Sequence, residues 1–337
     1  VKYQSRSSPE WVVDVVRFMK LLYMTICPQG RFHPDTYNPT RAEAAPESNF
    51  LVSIPKSKKS DHPPRIEPVR PANFQKSKLL GKGGQGEVYL GSYDSMPVAG
   101  KTLLGSPDKE TVDETIYEVK FFEQLDHPNC HYLLGAKTSL DDGGIMLLTE
   151  VCEHGSLFDF YNKTGKRFDM PTAWRLAREC ATGLMIIHNM GYMHRDIKSL
   201  NVFLSKDMVA KVADFGMVTE NATATDACGT VQWMAPEVVL NLFDQRSVYD
   251  KRVDVYSYGV LLWEIFHCKV PYSNLGLGQM SIGKRVMDND IRPQLGRACP
   301  KPIEEIIKRC WARDANQRPT FEEVIQQLDQ CASSCGQ

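Results

Sequence analysis

An ordered run of short motifs between Gly81 and Glu237 constrains this chain more than any other feature. A glycine-rich loop (Gly81, Gly83, Gly86, then Val88) precedes Lys101 in Val-Ala-Gly-Lys, and Glu118 follows. Then come His194-Arg195-Asp196 with Lys198 and Asn201, Asp214-Phe215-Gly216, and Ala235-Pro236-Glu237. Each motif alone is weak. Their joint order and spacing rarely arise by chance, and together they hold every group that phosphoryl transfer from ATP requires.

The loop reads as a β-hairpin, because apolar residues flank the glycines from Leu79 to Leu90. A tip made of Gly81, Lys82, Gly83, Gly84, Gln85 and Gly86 is poor in side chains, so its backbone N–H groups can close over phosphates. The same glycine spacing marks dinucleotide-binding folds, but those need a helix directly after the glycines. Here Val88-Tyr89-Leu90 continues as strand, and Gly91-Ser92 reads as the turn into a further strand ending at Lys101. The Gly-Lys-Ser/Thr ending of a P-loop is missing as well.

Thr111-Val112-Asp113-Glu114 resembles a capping box, so the next helix is predicted to start at Thr111 or slightly earlier, near Ser106-Pro107. Glu118 shares a face with Phe121, Phe122 and Leu125 on that helix. An inward-facing acid needs a partner, and Lys101 is the natural one, with its ammonium then free to hold phosphates. A second helix pattern runs from Pro171 to Gly191. The polar cluster from His194 to Asn201 follows, between apolar runs. In it an Asp can accept a hydroxyl proton, a Lys two residues on can balance phosphate charge, and Asn201 offers a neutral oxygen for a hard cation. A second hairpin brings Asp214, whose carboxylate can bridge metal and phosphates.

From about Phe74 to about Leu328 the chain resembles a eukaryotic protein kinase catalytic domain, with each motif in family order. The resemblance implies an α+β, bilobal fold: a small lobe of antiparallel sheet plus one key helix, and a large, mostly helical lobe. It implies ATP in the cleft with Mg²⁺ (Mn²⁺ as a substitute), bounded by Gly81, Lys82, Gly83, Gly84, Gln85, Gly86, Val88, Ala99, Lys101, Thr149, Glu150 and Cys152. By the same match Asp196 is the catalytic base, assisted by Lys198, Lys101 pairs with Glu118, and Asn201 with Asp214 holds the metal. His194, Phe215, Gly216, Glu237, Asp254 and Arg318 take structural roles and Arg195 a regulatory one. Glu237 pairs with Arg318, and Asp254 braces the catalytic loop at the head of a buried helix.

Lys198 and the stretch Gly229–Glu237 are similar to the tyrosine-kinase-like group of serine/threonine kinases, which includes Raf-like and mixed-lineage enzymes. Thr230 is then expected beside Lys198 and Asp196. Two alternatives stay open: a dual-specificity or tyrosine kinase, and a catalytically weak scaffold with the same fold. Gly100 departs from the family, which has a larger aliphatic residue there, and is expected to loosen the strand carrying Lys101. Thr149 is a small residue at the back of the adenine site, and Cys152 is either an accessible or a buried, inert thiol. The segment from Met217 to Cys228 is expected to be mobile when unmodified, with Thr219, Thr223 and Thr225 either sites for an upstream kinase or plain loop residues. A phosphate on Thr223 or Thr225 would then pair with Arg195.

Of the 337 residues, 1–27 read as an amphipathic helical extension, 28–72 as a Pro-rich, disordered linker, 73–332 as the catalytic domain and 333–337 as a tail. Within the domain, 73–152 form the small lobe and 153–332 the large one. The extension is expected to dock on the catalytic domain, a partner protein or a membrane surface. A net charge of −1 carries no nucleic-acid signature, and the ten cysteines contain no Cys-x-x-Cys pair. They read as free thiols of a cytoplasmic enzyme, membrane-associated if its N-terminal helix binds there. No signal peptide or membrane-long apolar span is visible, and the first residue, Val1, fits a fragment of a longer protein. The partners expected are protein substrates with Ser or Thr, acting in intracellular signalling.

Overall fold

The structure is a computed structural model that describes residues 62–83, 86–103, 107–139, 144–243, 246–296 and 299–335. The N-terminal helix, the linker as far as residue 61, and Gly84 and Gln85 lie outside the described residues.

Strands β1 (Phe74–Gly83), β2 (Gly86–Tyr93), β3 (Met96–Leu103), β4 (Leu133–Lys137) and β5 (Met146–Thr149) form one antiparallel sheet in the order β1-β2-β3-β5-β4. The β2–β3 turn is at Asp94-Ser95, both at positive φ (47° and 71°), and not at Gly91-Ser92 as the sequence predicts. Gly91 stays in the strand because the Phe74 ring fills the space beside it: a Cβ there would lie 2.5 Å from Phe74 Cε2. The same ring answers the expectation for Gly100. A Cβ on Gly100 would meet Phe74 Cε1 and Cζ at 2.5 Å, so the glycine makes room for an aromatic and does not leave the strand underpacked. Phe74 is buried in a cluster with Val69, Tyr93, Val98, Leu134 and Leu148.

Residues 62–72, expected as the end of a disordered linker, instead pack along the edge strand β4. The Ile66 amide donates to the Leu134 carbonyl at 2.7 Å, and His62 stacks on Tyr132 with centroids 4.1 Å apart. Arg65 Nη2 donates to the Glu123 carbonyl at 2.6 Å, and Val69 is buried. Too few apolar residues recur here to show a period, and the segment is held by tertiary contacts alone.

Helix α1 (Lys109–Phe122) lies between β3 and β4 in the chain. Its N-cap is Asp108, which accepts from the Thr111 amide at 2.8 Å; the cap is not Thr111. Aspartate directly after Pro107 caps as well as threonine does, and it comes first. The large lobe follows with α2 (Leu157–Thr164), α3 (Met170–Asn189), the hairpin β6 (Val202–Leu204)–β7 (Ala210–Val212), and α4 (Pro236–Asn241). Helices α5 (Arg252–His267), α6 (Gln279–Asn289), α7 (Lys301–Cys310) and α8 (Phe321–Cys335) complete it. The last helix runs through Asp329 to Cys335, so residues 333–335 continue it and are not a separate tail. Every residue of α5 from Val253 to His267 is buried, as a helix that is apolar nearly all round requires, and Asp254, Ser257, Glu264 and His267 are buried with it. The expected bilobal α+β architecture, a five-stranded small lobe before a helical large lobe, is the one observed.

Candidate active site

Strand β3 fixes Lys101 opposite Val88 on β2 and Leu147 on β5, which puts its side chain in the same register layer as the glycine hairpin. Its Nζ lies 3.3 Å from Glu118 Oε2 on α1. Burial works against the Lys101 ammonium, but the Glu118 and Asp214 carboxylates outweigh it, and its pKa ends above the ordinary lysine value. The amine is therefore held charged and ready for phosphate. At the hairpin, Lys82 pairs with Glu87 across the strands at 2.9 Å. A Cβ on Gly86 would meet the Thr102 carbonyl oxygen at 2.3 Å, whereas one on Gly81 would meet nothing within 4 Å. Gly86 is thus required by the fold itself, while the open space at Gly81 is available to a ligand.

At the back of the cleft, Ala99 on β3 faces Thr149 at the end of β5, whose hydroxyl donates to the Ala99 carbonyl at 3.5 Å. Glu150 is clamped: its carboxylate accepts from the Tyr132 amide at 2.9 Å and pairs with the buried Lys211 of β7 at 3.0 Å. Cys152 is half-buried, and burial pushes its thiol up to about 12, so it is inert at neutral pH.

The catalytic loop hangs from one buried carboxylate. Asp254 Oδ2 accepts from the His194 amide at 2.8 Å and meets His188 Nε2 at 2.8 Å; its Oδ1 accepts from the Arg195 amide at 2.8 Å. Burial alone would raise the Asp254 pKa, but His188 and the amides hold it below the ordinary value. Arg195 and Asp214, neither a glycine, sit at φ +69° and +64°. Left-handed backbone costs roughly 1–2 kcal/mol per residue, so these anchors hold strain at the two ends of the site. The His194 ring contacts Phe215 (5.7 Å), which in turn packs on Phe121 (5.1 Å) and Phe122 (4.9 Å) of α1. The helix that carries Glu118 is thereby packed directly against the Asp214-Phe215-Gly216 turn.

Around Asp196 the hydrogen bonds converge. Lys198 Nζ lies 2.5 Å from Asp196 Oδ2 and donates to Thr230 Oγ1 at 2.8 Å; that hydroxyl donates to Asp196 Oδ1 at 2.8 Å. Asn201 Nδ2 donates to the Asp196 carbonyl (2.8 Å) and to Oδ2 (2.9 Å). Burial would raise the Asp196 pKa, yet Lys198 and Thr230 bring it below the ordinary aspartate value. The group is ionised at neutral pH, an acceptor poised for a hydroxyl proton. With its nitrogen engaged, the side-chain oxygen is the atom Asn201 can offer a cation. That oxygen and the exposed Asp214 carboxylate make an all-oxygen pair, the donor chemistry a hard divalent cation takes together with substrate phosphates.

Arg195 differs from expectation. Its Nη1 donates to both Asp226 oxygens (2.9 and 2.7 Å) and its Nε to the Met217 carbonyl (2.7 Å). The seat expected for a phosphate on Thr223 or Thr225 is already taken, and the segment expected to be mobile is tied down at several points. Thr219 is buried, its backbone paired with Met193. Glu237 and Arg318 form a bidentate pair (2.5 and 2.9 Å), remote from the cleft.

Sequence reasoning passed over Glu264. It is fully buried on α5 and accepts from Tyr161 Oη (3.0 Å), Ser199 Oγ (2.6 Å) and Trp233 Nε1 (2.7 Å), tying the catalytic loop to the segment after Thr230. Burial pushes its pKa up to about 7. An acid inside an apolar helix was the one available signal.

The family model described as protein tyrosine and serine/threonine kinase matches residues 74–328. The chain belongs to the protein kinases. This kinase is 32% identical over 262 residues to the serine/threonine-protein kinase STY46 of Arabidopsis thaliana, covering 77% of this chain and 44% of the relative. It is 33% identical over 281 residues to the human mitogen-activated protein kinase kinase kinase 11 (78% and 32% covered). It is 30% identical over 266 residues to the dual specificity protein kinase shkA of Dictyostelium discoideum (76% and 49%). The chain spans less than half the length of each of these curated relatives. Membership implies use of ATP with a divalent metal, and protein substrates.

Proposed function

We propose that this kinase transfers the γ-phosphate of ATP to serine and threonine hydroxyls of protein substrates in intracellular signalling. The observation that carries the reading is the closed triangle of Asp196, Lys198 and Thr230, which sets an ionised acceptor and a cation side by side with a threonine hydroxyl. In this reading Asp196 takes the substrate proton and Lys198 balances charge on the transferring group. Lys101, steadied by Glu118, holds the inner phosphates, and the hairpin amides cover them. Asn201 and Asp214 would hold Mg²⁺, or Mn²⁺ in its place, which when bound neutralises charge between the phosphates. Ala99, Val88, Thr149, Glu150 and Cys152 bound the adenine side of the cleft. The names of the plant, human and other relatives as serine/threonine kinases support the acceptor class. The described cysteines that are free thiols support a reducing compartment, the cytoplasm. Thr223 and Thr225 are exposed to an upstream kinase.

Phosphoamino acid analysis of a generic basic protein, labelled with radioactive ATP and Mg²⁺, tests the acceptor class. Phosphoserine and phosphothreonine are expected. Phosphotyrosine as the main product would overturn the assignment, and the absence of any product would favour the scaffold.

A further inference from the structure

The catalytic-loop arginine is satisfied by the chain itself. Its backbone is held by Asp254 at 2.8 Å and sits at φ +69°, and its side chain runs toward the activation segment. There the guanidinium spans the segment, with the Met217 carbonyl at one end (2.7 Å) and the Asp226 carboxylate at the other (2.9 and 2.7 Å). Asp226 is held a second time. Tyr249 Oη donates to the Asp226 carbonyl at 2.8 Å and lies 3.1 Å from Oδ1. Two residues earlier, Ala224 and Tyr249 exchange both backbone hydrogen bonds at 2.9 Å. The chain then passes through Gly229 at φ +102°, so close beneath the loop that a Cβ would lie 2.5 Å from the Arg195 carbonyl oxygen. One residue on, Thr230 reaches Asp196.

We propose that Asp226 is a built-in replacement for an activation-segment phosphate. A phosphate orders such a segment by presenting acceptor oxygens to an arginine. Here a carboxylate presents both of its oxygens to one nitrogen of that guanidinium, Nη1, a charge-assisted contact. Asp226 is thus a positioning residue. It holds the segment through Arg195 and Tyr249, and the segment delivers Thr230 to the base. A phosphate on the adjacent Thr225 gains little, since its dianion would compete with Asp226 for one arginine and repel it. Thr219, Thr223 and Thr225 are the hydroxyl residues between Gly216 and Cys228, and Thr219 is buried with its backbone paired. The inference rests on the kinase reading above and adds that the site assembles without modification.

The test uses the full chain co-expressed with a protein phosphatase, with its unmodified state verified by mass spectrometry. Rates are measured for wild type, Thr223→Ala/Thr225→Ala, Asp226→Asn, Asp226→Glu and Asp226→Asn/Arg195→Ala. Limited proteolysis within residues 217–228 and the melting temperature are read in parallel. Unmodified wild type and the double-threonine variant are expected to turn over equally. Asp226→Asn is expected to lose kcat by about tenfold, the order expected from losing one charge-assisted hydrogen-bonded pair, and Asp226→Glu to regain most of it. Adding Arg195→Ala to Asp226→Asn is expected to cost little more, since the two act as a unit. Proteolysis should quicken in Asp226→Asn with the melting temperature unchanged. An unmodified wild type that is inactive and gains activity on phosphorylation at Thr223 or Thr225 overturns the proposal, as does an Asp226→Asn variant equal to wild type in rate and cleavage. If no preparation transfers phosphate in any state, the kinase reading fails, and the proteolysis contrast alone still decides the clasp.

Discussion

Replacing Gly100 by alanine tests the packing logic of the strand that carries Lys101. A Cβ at this position would stand 2.5 Å from Phe74 Cε1 and Cζ, whereas carbons pack at roughly 3.5–4.0 Å. The ring has little room toward β2, because it already fills the space a Cβ on Gly91 would take, with Cε2 2.5 Å from that point. Two effects oppose each other. Removing a glycine from a strand favours folding by about 0.5–1 kcal/mol through lower unfolded-state entropy. Overpacking a filled core costs about 1–3 kcal/mol, and here it wins because the neighbour is a ring enclosed on both sides. The expected net loss is about 1–2 kcal/mol, a fall in melting temperature of about 2–8 °C, with a raised KM for ATP because Lys101 is the next residue. Differential scanning calorimetry on Gly100→Ala, Phe74→Leu and the double variant gives the coupling. The double variant should be more stable than the sum of the singles predicts, by at least about 0.5 kcal/mol. A neutral or stabilising Gly100→Ala, or strict additivity, would refute the reasoning.

Further outcomes can be checked independently. Glu264 has its pKa raised from the ordinary 4.5 to about 7. Its contribution to stability is therefore fully present below pH 4.5 and lost as pH rises through 7, by roughly 3 kcal/mol in all. Urea denaturation of Glu264→Gln from pH 5 to 8 should show that downward component removed, and an unchanged pH slope would contradict it. Val69→Ala should cost roughly 2 kcal/mol for two buried methyl groups and the space they leave, although Val69 lies outside the matched domain. No loss in chemical denaturation would mean that the segment from residue 62 is not part of the folded unit. Thr230→Ala should lower kcat by on the order of tenfold or more with little change in the KM for ATP, and a selective rise in that KM would place its role elsewhere. Iodoacetamide at pH 7.5 should leave Cys152 unmodified in the folded chain by peptide mapping, since burial pushes its thiol up to about 12.

Single elements were legible in the sequence because their signals are local, whereas the bilobal architecture and the lining of the cleft followed from the resemblance to protein kinases. Glycine spacing marks the hairpin, an acid in an apolar stripe marks Glu118, and an all-round apolar run marks α5. What escaped is tertiary. Gly91 read as a turn and Gly100 as a weakness because the ring that explains both, Phe74, lies far away along β1. Residues 62–72 read as linker because their contacts, such as His62 on Tyr132 and Arg65 on the Glu123 carbonyl, have no sequence period. Arg195 was read as awaiting a phosphate because motif order marks the arginine but not its partner. Only the folded segment brings Asp226, not Thr223 or Thr225, to the guanidinium. Glu264 was hidden for the opposite reason: it sits in a helix so apolar that the pattern directed attention to burial and away from the acid.

The most direct test of the central claim is the rate of γ-phosphate transfer by wild type, Asp196→Asn and Asp214→Ala, with nucleotide binding measured on each protein. Wild type should transfer phosphate. Asp196→Asn should bind nucleotide but lose transfer, and Asp214→Ala should lose transfer together with the metal-dependent part of binding. Transfer that persists in Asp196→Asn at the wild-type rate would contradict the assignment of this site as the catalytic centre.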